Sequence, residues 1–119
     1  MSHRYGLSKS DRLLRRGAFD RVLKARCRAA DQWLAVYACR NTVGYPRLGI
    51  IVSRRHGGAV ARNRLKRRLR EAFRLTRHQL PVGYDLVCIP STAQLGTVER
   101  YRRSMAALAR VAAGASRAP

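Results

Sequence analysis

Between the glycine pair Gly57-Gly58 and Pro81 lies a run of roughly twenty residues with no Gly or Pro inside it, and its apolar period is that of a helix. Wound at roughly 100° per residue, residues 59–79 place Leu65, Leu69, Ala72, Phe73 and Thr76 on one arc, the side made to face a core. A second arc collects Asn63, Lys66, Arg67, Arg70, Arg74 and Arg77, so the polar side is almost wholly cationic. At 1.5 Å per residue the helix extends roughly 30 Å, the reach of several successive phosphates on a folded RNA. Glu71 is its single acid. A helix that merely faces water gains by mixing signs at i,i+4, whereas here Lys66 with Arg70 and Arg70 with Arg74 stack like charges. A bound polyanion offsets that repulsion.

The whole chain repeats the imbalance, with 26 Lys and Arg against 6 Asp and Glu and a net charge of +20 over 119 residues. Apolar residues make up 46% of it, enough to bury a core, so residues 1–119 are expected to form a single RNA-binding domain. No apolar run approaches the roughly 18 residues that span a bilayer, so no membrane partner is expected. The Arg- and Ser-rich start lacks the apolar segment of a secretory signal, which predicts a cytoplasmic protein. Cys27, Cys39 and Cys88 form no Cys-x-x-Cys pair, and His3, His56 and His78 are scattered. Reduced thiols and no protein-held metal are the expectation. Paired carboxylates, a His dyad and a nucleophile beside a base are likewise missing from the pattern, which argues against a stand-alone protein nuclease and for no catalytic residue in the chain.

Around the long helix, residues 1–11 read as a basic arm and 17–25 as a short helix in which Phe19, Val22 and Leu23 share a face. Phe19 suits core packing and a binding surface equally. Residues 33–40 alternate two apolar sets and read as a strand buried on both sides, with Trp33 and Tyr37 assigned to the core. A turn at 41–46 leads into a strand over 47–55, and the two strands are expected to pair as an antiparallel hairpin. Residues 84–89 give another strand, closed by Pro90, and 97–113 a final helix stopped by Gly114, with 114–119 as a frayed tail.

The segment 53–73, SRRHGGAVARNRLKRRLREAF, resembles the signature of the bacterial ribonuclease P protein family: a strand ending in Ser and two basic residues, a Gly turn, and a helix opened by Arg62-Asn63-Arg64. The likeness extends to the basic arm, the helix holding Phe19, the Arg47-Leu48-Gly49 strand, the Tyr84-Asp85 strand and the closing helix. It implies an α+β fold, a single-domain α-β-β-β-α-β-α two-layer sandwich resembling domain 2 of ribosomal protein S5. That order adds a short strand near residues 27–31, and it carries a left-handed β-α-β crossover against the usual right-handed rule. The resemblance also implies that Arg54, Arg55, Arg62, Asn63, Arg64, Lys66, Arg67 and Arg70 face RNA. Phe19, Val36 and Ser53 would line a cleft for the 5′ leader of precursor tRNA. Gly58 departs from the family, many of whose members carry Asn there, and Leu23 and Val36 stand where some members present aromatics.

The function so implied is that of the protein subunit of ribonuclease P. It binds the catalytic RNA subunit one to one, together with precursor tRNA, and promotes endonucleolytic removal of the leader. Mg²⁺ held mainly by the RNA takes part in the chemistry. The alternative is a structural RNA-binding protein of ribosomal type, which shares the size and charge but has no need of the strand, Gly turn and Arg-Asn-Arg helix.

Overall fold

In the computed structural model, which describes residues 9–115, the elements run α1 (Arg16–Lys24), β1 (Arg28–Ala30), β2 (Leu34–Arg40), β3 (Arg47–Ile50), α2 (Ala59–Thr76), β4 (Tyr84–Pro90) and α3 (Val98–Ala115). The fold is mixed α+β, as the resemblance implied. The three helices begin within a residue of their expected positions, because each carries a strong 3.6-residue period. β1 also appears where the resemblance placed it.

The sheet order is β1-β2-β4-β3, which overturns the expected hairpin. β4 inserts between β2 and β3, pairing antiparallel with β2 from Leu34↔Pro90 to Arg40↔Tyr84 and parallel with β3 from Arg47↔Asp85 to Ile50↔Cys88. The two strands with the longest apolar runs thus take the central places, where both faces are covered. The parallel pair is possible because α2 supplies the long crossover that parallel neighbours require.

Strand alternation then divides the core between the two faces. Leu34, Val36 and Leu86 point toward α2 and α3, where they pack with Leu69, Phe73 and Met105. On the opposite face Val87 joins Val22 of α1 and Leu13, with Phe19, Tyr37 and Ile89 partly buried beside them. The Phe19 ring lies directly on the backbone of β3, since a Cβ at Gly49 would sit 2.6 Å from it.

Asp85 joins these parts. Its side chain is fully buried, receives a bidentate pair of hydrogen bonds from Arg47 at 2.8 and 2.9 Å, one from Asn41 at 2.8 Å, and an ion pair with Arg21 of α1. Burial alone would raise its pKa. The hydrogen bonds from Arg47 and Asn41 and the charges of Arg47 and Arg21 outweigh that and hold it below its ordinary 3.8.

Both chain ends differ from expectation within the described residues. Lys9–Asp11 form a 3-10 turn instead of belonging to a loose arm. Arg12 bridges to Leu48, Leu13 N–H donates to Leu48 O at 2.9 Å, and Asp11 pairs with Arg77, so the chain is anchored from residue 9 onward. Residues 1–8 of the expected arm and 116–119 of the expected tail lie outside the described residues. Gly114 does not stop the last helix, which continues through it to Ala115, since one helical Gly costs only about 1 kcal/mol.

Candidate nucleic-acid interface

The strand β3 leads through an extended stretch into a 3-10 turn, Arg54–His56, and then into α2. Gly57 makes this corner possible: its φ is +111°, and a Cβ there would come within 2.8 Å of the Ala61 Cβ. Gly58 caps α2 without a side-chain hydrogen bond, where Asn would have supplied one. The positive end of the helix is thereby left open beside Arg54 and Arg55, both exposed.

Along α2, the core stripe of Leu65, Leu69, Ala72, Phe73 and Thr76 is buried as expected, which fixes the roll of the helix. The opposite side is not uniformly free charge. Arg74 binds Glu71, and Arg77, just beyond the helix, binds Asp11 and lies over the Phe73 ring. Arg68 turns toward α3, donating to Gly96 O at 2.7 Å. Among the described residues Arg62, Arg64, Lys66, Arg67 and Arg70 form no ion pair. The uncompensated row therefore runs from Arg62 to Arg70, about 12 Å of helix, shorter than the sequence suggested.

Lys66 and Arg70 lean to one side of α2 and line a cleft with Arg12, Phe19, Gly49 and Ile50. Burial, and secondarily the nearby Arg12 guanidinium, lower the pKa of Arg70. The Nε atoms of Arg12 and Arg62 are shielded from solvent without a protein acceptor among the described residues. Arg12, Lys66 and Arg70 crowded along one cleft form a cationic surface whose chemistry suits an anion of several oxygens, such as a phosphodiester.

A family model described as Ribonuclease P matches residues 7–113. The chain belongs to the ribonuclease P protein family. The ribonuclease P protein component of Methylococcus capsulatus is 46% identical over 77 residues, which cover 64% of this chain and 60% of that relative's length. That of Petrotoga mobilis is 38% identical over 82 residues, covering 69% of this chain and 70% of the relative. The Staphylococcus aureus RNase P protein superposes with a TM-score of 0.74 at 30% identity, covering 87% of this chain and 96% of that one. The Thermotoga maritima RNase P protein gives 0.70 at 32%, covering 79% and 90%.

Of the residues that the ribonuclease P resemblance assigned to RNA, Arg54, Arg55, Asn63, Arg64 and Arg67 are exposed, while Arg62, Lys66 and Arg70 are half-buried, the last two lining the cleft. Phe19 is half-buried at the wall of the cleft, and Ser53 is exposed at the turn. Val36 does not line any cleft. It is 0% exposed and packs beneath α2 and α3, because even-numbered β2 residues face that layer while Ala35, Tyr37 and Cys39 face the other way. Three residues are placed as the sequence reading did not anticipate: Arg12, brought to the cleft by its bridge to β3; Arg68, diverted to a loop carbonyl; and His56, buried within the turn. The Arg12-Leu13 pair ahead of α1 offered a faint signal, and only the third dimension explains the other two.

The placement of Phe19 predicts a divided result for Phe19→Ala. The melting temperature falls modestly, since the ring is half-buried on Gly49, and RNA affinity falls as well. Thermal unfolding and RNA titration on one preparation check both; an unchanged affinity removes Phe19 from the interface.

Proposed function

We propose that this chain is the protein subunit of a bacterial ribonuclease P, docking on the catalytic RNA through Arg54, Arg55 and the Arg62-to-Arg70 side of α2. The cleft between that helix, Arg12 and Phe19 takes the 5′ leader of precursor tRNA. The division of charge carries this reading. Asp11, Glu71, Asp85 and Glu99 are all engaged by arginines elsewhere, and among the described residues no acid pairs with this face.

No group of three or more His, Cys, Asp or Glu converges among the described residues. In this reading Mg²⁺ belongs to the RNA partner, as does the bond cleavage, and the protein tightens leader binding by screening phosphate repulsion. No helix among the described residues is long and apolar enough to cross a membrane, and we assign the assembly to the cytoplasm, with one protein per RNA.

The test is reconstitution. Purified chain, a bacterial ribonuclease P RNA and precursor tRNA are mixed at a Mg²⁺ concentration too low for the RNA alone. The expected result is cleavage at the mature 5′ end that depends on both components. Cleavage by the protein without RNA, or no gain over RNA alone, contradicts the proposal.

A further inference from the structure

His56 sits between Arg55 and Gly57, is 2% exposed, and takes no part in the charge pattern described above. Its Nδ1 accepts a hydrogen bond from the Ser53 N–H at 3.0 Å, and its Nε2 lies 2.8 Å from the carbonyl oxygen of Pro90. A backbone N–H can only donate and a carbonyl oxygen can only accept, so the ring is neutral with its proton on Nε2. One imidazole thereby ties the beginning of the basic turn to the last residue of β4.

The turn needs such a tie. His56 N–H to Ser53 O, 2.9 Å, and Gly57 N–H to Arg54 O, 3.0 Å, close it on itself. Bonds of that local kind set its curvature but not its direction relative to the sheet. β3 ends at Ile50, and the bond from Ile51 N–H to Cys88 O marks its last backbone link to β4. Ser53, Arg54, Arg55, Gly57 and Gly58 are all exposed, so burial of their own side chains does little to hold them. The buried ring supplies the anchor that the exposed residues lack.

We infer that His56 is a positioning residue whose two hydrogen bonds aim Arg54 and Arg55 at RNA phosphates, an inference that rests on the proposed function. A guanidinium engages a phosphate through paired, directed hydrogen bonds, and these form readily only when the backbone beneath them is already in place. Without the ring, both arginines still carry their charge but sample many directions, and part of the binding free energy is consumed in ordering the turn.

The experiment measures binding of the full chain to a bacterial ribonuclease P RNA across a salt series, with thermal unfolding recorded for each variant. The paired change Arg54→Ala and Arg55→Ala is expected to flatten the salt dependence by about one to two units, one phosphate contact per arginine. His56→Leu, close in volume but unable to make either bond, is expected to lose about five- to tenfold in affinity and most of that same slope. Adding the two arginine changes to His56→Leu should then cost little more. His56→Gln, which can still donate toward Pro90, is expected to recover most of the slope. If His56→Leu does not fold, His56→Asn, which keeps an acceptor for Ser53 but loses the reach to Pro90, replaces it with the same expectation.

A folded His56→Leu or His56→Asn protein with the parent's slope, beside an arginine pair variant that loses it, overturns the positioning role and leaves the RNA face intact. An arginine pair variant with unchanged slope removes Arg54 and Arg55 from that face, and the inference about His56 falls with them. A drop in melting temperature without a change of slope marks His56 as structural only and likewise contradicts the inference.

Discussion

Replacing Arg62, Lys66 and Arg70 together by Ala lowers affinity for the RNA partner by at least about tenfold at physiological salt, and flattens log K against log salt by roughly two to three units. None of the three has an acid partner among the described residues, so their charge is available to phosphates, and each contact made releases counterions. Lys66 and Arg70 also share the cleft with Arg12, where Arg70 is already disfavoured as a cation by burial and by its neighbour. Removing Arg70 relieves that strain in the free protein, so the melting temperature of the triple variant changes little while binding falls. RNA titration at several salt concentrations, with circular dichroism to establish folding, measures both quantities. An unchanged slope argues against phosphate contact by these side chains.

Asp85→Asn is expected to have the largest effect on stability, about 2–3 kcal/mol. The full loss for breaking a buried ion pair is larger, but the side chains of Arg21 and Arg47 remain 42% and 26% exposed and regain water when the carboxylate is gone. The loss reaches three elements at once, since Arg21 belongs to α1, Arg47 to β3, and Asn41 to the turn after β2. The pH dependence follows from the lowered pKa. A carboxyl held below its ordinary 3.8 in the folded state contributes stability that is complete above that value and disappears as pH falls through the folded value. Denaturant unfolding from neutral pH down to about pH 3 should therefore show a steeper acid loss in the parent than in Asp85→Asn. Parallel curves would contradict this account of Asp85.

That same residue explains where sequence reasoning stopped. The helices were legible because their signal is local: Leu65, Leu69, Phe73 and Thr76 declare one face of α2 whatever the chain does elsewhere. The strand order was not, because a six-residue turn between two apolar strands suggests a hairpin, and nothing nearby announces a third strand between them. The clue was Asp85 itself, an acid inside an apolar strand of a chain that owns few acids. A buried carboxylate requires cations, and Asn41 and Arg47 at the two ends of the turn supply its partners by flanking β4 from both sides.

Val36 was misassigned for a related reason. With apolar residues on both faces of β2, alternation defines two sets but does not say which one meets α1. Only the packed structure assigns the even positions to α2 and α3. β1, three residues with a single half-buried Ala29, carries too short a pattern to read at all, and it came from the resemblance. The cationic face was more legible than the fold, since an excess of positive charge is visible in composition. Its limits were not: the loss of Arg74 to Glu71 and of Arg77 to Asp11 required the structure.

In the proposed function the shape of this cationic surface, and not its charge alone, selects a folded RNA. Competition tests it most directly: a labelled bacterial ribonuclease P RNA bound to the folded chain is displaced by unlabelled copies of itself or by a flexible single-stranded polyanion of equal phosphate number. Displacement by the folded RNA at concentrations at least about a hundredfold lower is the predicted result. Equal displacement by the two would reduce the surface to a diffuse counterion for any polyphosphate and contradict the account.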